Sequence, residues 1–195
     1  MLCGILLSAP VIAEKEVVDS AFGFIFEEKY DEERLRSIMT DDPPHPAFPV
    51  CYHRDVRKWK TIMFHPIDCP MNQAPKPYHL FKDKTIRLYL NESEELVKVE
   101  PMEVEFTTFE RCVVEAEVIR KAIESNRGIT FKRHDWKPPW SKIEWEWESG
   151  KIGTPSWRWI FLACSKHETW QTAKLSLTYA NYGAYAGDAG DTSGL

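Results

Sequence analysis

Between Ile143 and Glu148 the chain alternates strictly, with Ile143, Trp145 and Trp147 standing against Glu144, Glu146 and Glu148. Side chains leave a strand on opposite faces with period two, whereas a helix would scatter these residues around its circumference. The run therefore reads as a strand with one apolar and one charged face. A second run follows a loop containing Gly150, Gly153 and Pro155, and sets Trp157, Trp159 and Phe161 against Arg158, Ile160 and Leu162. Paired as a long hairpin, the two runs gain aromatic cross-strand contacts worth about 0.2 to 1 kcal/mol each. On this reading Trp145, Trp147, Trp157 and Trp159 form its core face, and Arg158 answers one carboxylate of the acidic row.

The same period recurs upstream. Ile86, Leu88 and Leu90 alternate with Arg87 and Tyr89, and Val97 and Val99 resume after an Asn-Glu-Ser-Glu turn, which describes a hairpin. Met102, Val104 and Phe106 form a further strand after a break at Pro101, and Ala173, Leu175, Leu177 and Tyr179 form another. Trp59 to Phe64 and Leu6 to Ile12 read as two more. Residues 14–26 present Val17, Ala21 and Phe24 on one helical face, thickened by Val18, Phe22 and Ile25, and are assigned to a helix passing into an extended FGFIF segment. Asp31 is placed to cap a short helix through Met39. Thr107 and Glu110 have capping-box spacing ahead of Cys112, Ala116, Ile119 and Ile123, a buried stripe at steps of four, three and four. That helix covers 109–126, with Gly128 at its left-handed cap. HDWKPPWS then reads as a turn.

Connections within 84–106 and 142–180 are too short for repeated parallel crossovers. The expected fold is α+β: a single domain over 1–181, a largely antiparallel twisted sheet of about six to seven strands, and two or three helices packed on one face. From Tyr182 the chain is rich in Gly, Ala, Asp and Ser, and 182–195 reads as a flexible tail. Residues 40–50, with four prolines, read as an extended connector.

A formal charge of −5 gives no global attraction for phosphate backbones. A nucleic-acid partner would need Arg54, Arg57, Lys58 and Lys60 to merge with Arg127, Lys132, Arg133 and Lys137. No apolar run reaches the length of a membrane span. The five cysteines are scattered rather than arranged as a dense disulfide framework. The opening MLCGILLSAPVIA lacks a positive n-region. The chain is accordingly read as cytoplasmic or intracellular, with secretion the alternative.

Three constellations carry chemistry. Cys51, His53, His65 and Cys69 offer thiolate and imidazole, the ligands preferred by tetrahedral zinc, against the plainer reading of unrelated core cysteines and loop histidines. His134 and Asp135, joined by Glu103 or Glu105, could serve a small metal-dependent hydrolase or nuclease, since Asp135-x-Lys137 has the acidic-x-Lys spacing of such sites. Finally, Trp136, Trp140, Trp145, Trp147, Trp157 and Trp159 fall within twenty-four residues. Trp136 and Trp140 flank Pro138-Pro139 outside the hairpin and are the candidates for an exposed aromatic surface. Neither a G-x-S-x-G elbow nor a glycine-rich phosphate loop occurs. The leading reading is a non-enzymatic protein-interaction or structural module, with self-association through the aromatic-rich hairpin as one form of it. The alternatives are the hydrolase or nuclease, and a zinc-stabilised or nucleic-acid-binding module.

Overall fold

Helix and sheet meet at a covalent bond: Cys112 of the helical stripe and Cys164 of the second tryptophan-rich strand form a disulfide with their Cα atoms 5.9 Å apart. The computed structural model describes residues 18–31, 33–34, 52–55, 60–64, 79–81, 84–137, 139–151, 154 and 156–181, with the backbone alone for 52–55, 60 and 64. The expectations for Leu6–Ile12, for the connector at 40–50 and for 182–195 lie outside the described residues.

The strands are β1 (Ser20–Ala21), β2 (Phe24–Ile25), β3 (Tyr52–Asp55), β4 (Lys60–Phe64), β5 (Ile86–Leu90), β6 (Leu96–Pro101), β7 (Val104–Phe106), β8 (Lys132–Trp136), β9 (Trp140–Ser149), β10 (Arg158–His167) and β11 (Ala173–Asn181). One helix, α1 (Phe109–Arg127), separates β7 from β8. The main sheet is antiparallel and runs β3-β4-β5-β6-β11-β10-β9-β8, with β7 paired to β11. Strands β6 and β7 lie in succession along one edge of β11: β6 meets Tyr179 and Ala180, and β7 meets Ala173 to Leu175. Pro101, which has no amide proton to donate, stands at the break between them.

The α+β class and the antiparallel sheet agree with the sequence, whereas the element counts need correcting. Among the described residues there is one α-helix rather than two or three, and the sheet has eight strands across plus β7 rather than six to seven. The helix passing into an extended FGFIF segment is corrected in its first part: from Val18 onward the described chain forms a tight hairpin, β1–β2, in which the extended Phe24–Ile25 lies within FGFIF. Phe22 and Gly23 both take positive φ, 53° and 86°, as a two-residue hairpin turn requires. Phe22 is held there by burial, edge-on to Phe81 at 6.3 Å and to Tyr179 at 5.6 Å. Of the helix expected from Asp31 through Met39, only Asp31, Glu33 and Arg34 are described; the Arg34 amide donates to Asp31 Oδ1 at 2.9 Å, and the rest of that expectation lies outside the described residues.

Helix α1 matches its expected bounds closely. Its buried residues are Cys112, Ala116, Ile119 and Ile123, and Gly128 caps it at φ 62°. The N-cap shifts by one residue: Thr108, not Thr107, accepts from the Arg111 amide at 3.2 Å. Glu110 then sits in the first turn, near the positive end of the helix dipole. The buried stripe packs with Trp145, Trp147, Ile160, Leu162, Leu175 and Leu177. Toward β5 and β6 the same face is covered by Phe22, Phe24, Tyr30 and Phe81. The β9–β10 loop leaves Gly150 no room for a side chain, since a Cβ there would lie 2.4 Å from the Ser156 carbonyl oxygen.

HDWKPPWS is not simply a turn, because its first three residues complete the edge strand β8. The hairpin register also corrects the aromatic assignment. Trp145 faces Leu162 and Trp147 faces Ile160, whereas Trp159 faces Glu148 and Phe161 faces Glu146. Trp159 and Phe161 therefore share the acidic face. Arg158 lies on the buried face, where it donates to Glu27 at 2.9 Å instead of answering the acidic row.

The disulfide closes a loop across a sequence separation of 52. Chain-entropy arguments assign such a link about 4 kcal/mol, and native disulfides commonly contribute about 2 to 5 kcal/mol. A Cys112→Ala/Cys164→Ala variant is expected to lose about 2 to 4 kcal/mol in urea unfolding. Adding reductant should lower the stability of the parent protein and leave that of the variant unchanged.

Candidate functional site

All of the cover described above lies on one sheet face. The opposite face carries no described helix, and two clusters stand on it.

The first lies at the β8–β9–β10 end. The acidic row is answered there by the edge strand and by indole donors. Glu144 accepts from Trp136 Nε1 at 2.5 Å and pairs with Lys142. Glu146 accepts from Trp159 Nε1 at 2.5 Å, with His134 Nε2 at 3.9 Å. Glu148 lies 3.6 Å from Lys132 Nζ. Trp159 stacks on Phe161 at 5.1 Å, and Lys142 stands over the Phe161 ring. Beyond these, Trp136 and Trp140 remain 59% and 41% exposed. With Lys142 and Ser165 they line a cavity of about 290 Å³. Trp140 is buttressed by His167 at 4.7 Å and by Trp170 at 5.1 Å, and Lys174 lies over the Trp170 ring. The cavity thus offers two indole surfaces, one ammonium and one hydroxyl, a combination suited to an apolar or aromatic group bearing a carbonyl or carboxylate.

Of the six tryptophans singled out by sequence, the two flanking the proline pair are exposed, while Trp145 and Trp147 are 1% and 4% exposed in the core. Trp159 is part-buried on the open face, and Trp157 is part-buried before β10. Sequence reading did not place Trp170, His167, Lys142 or Ser165 at this surface. Their parity in β9 and β10 puts Lys142 and Ser165 opposite one another, a relation that needs the register to be known.

The second cluster is polar. Glu100 of β6 accepts from Tyr89 Oη at 2.8 Å and from Thr178 Oγ1 at 3.2 Å, with Lys98 Nζ at 3.1 Å. Burial pushes the Glu100 carboxyl up, but the Lys98 ammonium and these hydrogen bonds outweigh it and hold the group below the usual carboxylate range. The same burial, reinforced by the hydrogen bond to Glu100, pushes the Tyr89 phenol up to about 12.

The other sequence candidates do not converge. His134 lies on the open face beside Glu146, whereas Asp135 lies on the opposite face and binds Arg133 at 3.0 Å. Glu103 binds Lys174 at 3.0 Å, and Glu105 sits on β7. Strands β7 and β8 are separated by β11, β10 and β9, roughly 19 Å at the usual strand spacing. The basic stretches are further apart: Arg54 and Lys60 belong to β3 and β4, at the sheet edge opposite β8. Lys132 and Arg133 are engaged with Glu148, Asp135 and Glu117, and Arg127 donates to the Ser20 carbonyl. Arg57 and Lys58 lie outside the described residues, as do Cys51, His65 and Cys69; His53 has only its backbone described, paired with Met63. Among the described residues no group of three or more His, Cys, Asp or Glu side chains could hold a metal, and no helix is long and apolar enough to cross a membrane.

The Tyr89 shift makes stability fall in alkali. An unfolded chain loses its phenol proton near pH 10, while the folded chain keeps it to about 12. Between those values the folded state holds the extra proton, so stability declines as pH rises. Tyr89→Phe is expected to flatten this decline, as measured by urea unfolding across the window. Absorbance at the tyrosinate band should show one phenol fewer titrating late.

Comparison with protein families, with curated proteins and with solved structures finds no match for this chain.

Proposed function

We propose that this protein is a non-enzymatic protein-interaction module whose recognition surface is the aromatic end of the open sheet face. The observation carrying this reading is the exposure of Trp136 and Trp140 around a cavity also lined by Lys142 and Ser165. Exposed indoles leave apolar area in contact with water, and their rigid rings lose little conformational entropy when a partner covers them. Supporting interactions hold the site in shape before any partner arrives. Glu144 fixes the Trp136 indole, and Trp170 and His167 brace Trp140. A preformed surface of this kind spends less binding energy on ordering side chains. Lys142 and Ser165 supply polar groups that orient the ligand, a peptide segment with an apolar or aromatic side chain beside an acceptor oxygen.

The Cys112–Cys164 bond favours an oxidising compartment. It supports the secretion alternative over the cytoplasmic or intracellular placement.

The test compares immobilised parent protein with a Trp136→Ala/Trp140→Ala variant, using extracts from the source organism and quantitative mass spectrometry. Both substitutions are at exposed positions, so the variant should stay within about 1 kcal/mol of the parent in stability. Proteins held by the parent and lost by the folded variant support the reading. Equal retention by both would overturn it.

A further inference from the structure

Strand β8 ends the sheet. It pairs with β9 on one side, no described strand pairs with its other side, and all five of its residues are exposed. A free edge is normally blunted by like charges, bulges or proline. Here the five residues read Lys132-Arg133-His134-Asp135-Trp136, and this order is complementary to itself when reversed.

We propose that β8 pairs with β8 of a second copy of this chain, antiparallel about a two-fold axis through His134. A two-fold axis perpendicular to the sheet keeps each face on its own side, so it must pass beside a residue facing its own symmetry mate. With His134 on the axis, Arg133 faces Asp135 of the other copy, and the same pair recurs by symmetry. Lys132 likewise faces Trp136 of the other copy, an ammonium against an indole. Directly opposed residues in such a ladder have Cβ atoms about 4.5 to 5.5 Å apart, close enough for both kinds of contact.

Neighbouring registers lose this match. An axis at Arg133 sets arginine against arginine, and one at Asp135 sets aspartate against aspartate and Arg133 against Lys137. An axis at Trp136 runs the partner past the end of the strand. Within one chain Arg133 already binds Asp135 at 3.0 Å, so pairing turns two local ion pairs into a four-charge ladder. Five residues a side bury less than a standard interface, so the dimer is weak and depends on concentration. The inference names a second copy as one partner within the interaction reading; it shares Trp136 with the aromatic cavity, but it rests on the strand edge and is tested at Arg133 and Asp135, which do not line that cavity. The two can therefore fail separately.

The experiment is sedimentation velocity on the full chain over a concentration series from micromolar to millimolar. The parent is expected to move from monomer to dimer. Arg133→Asp creates an acidic pair that faces itself, and Asp135→Arg a basic one. Each variant alone should raise the dimer dissociation constant about tenfold or more. An equimolar mixture should dimerise again, because the acidic edge of one variant matches the basic edge of the other. Restoration on mixing cannot come from misfolding of either variant. A parent that stays monomeric throughout overturns the proposal. So does a dimer unaffected by both variants, or a mixture no more associated than its components.

Discussion

Among the described residues the structure depends on one relation, helix α1 lying across the apolar face of a much wider sheet. A helix with its side chains is about 10 to 12 Å across and strands lie about 4.8 Å apart, so one helix covers two or three strands. Helix α1 covers the β9–β11 region, with the Cys112–Cys164 bond at the crossing. The remainder of that face is closed by Phe22, Phe24, Tyr30 and Phe81, from the β1–β2 hairpin and short segments beside it. Arg158 joins the two kinds of cover. From the buried side of β10 it binds Glu27, which also accepts from Asn181 at 2.7 Å.

Once the helix and hairpin have taken one face, the other is left to satisfy its own charges. It does so with cross-strand partners. Three glutamates on β9 meet Lys132 and His134 from β8, two indole donors and Lys142. Farther along, Glu100 is enclosed by Lys98, Tyr89 and Thr178. Trp136 and Trp140 remain uncovered where these pairings run out, at the end of the sheet. The candidate surface and the free strand edge are thus neighbours for the same geometric reason.

Much of this was legible in the chain. The 86–99 and 143–162 hairpins, the stripe of α1 and its glycine cap follow from periodicity, because burial of one face imposes the period on the sequence. Trp136 and Trp140 are exposed as expected, but not because they lie outside the strands: Trp136 ends β8 and Trp140 begins β9, both at the strand ends on the open face. The β1–β2 hairpin was legible only in part: FGFIF reads as extended, but the residues before it satisfy a helical period over a short stretch, and Gly23 was the countersignal for a turn. Strand β8 was misread because its five residues are all polar or exposed, so burial leaves no trace of period two. The hydrolase site was assembled from residue types, and types carry no information about which strands are neighbours.

By itself the sequence determined the local elements: which residues alternate, and where the long helix starts and stops. Those properties are set within a few residues, by backbone geometry and the burial of one face. Tertiary structure alone decided that Cys112 meets Cys164, that Trp159 shares the glutamate face, that Arg158 turns inward, and that β8 lies at an edge. Each is a matter of strand order and register, where a shift of one residue moves every side chain to the other face. That choice is made by contacts between segments far apart in the chain, which no local pattern records.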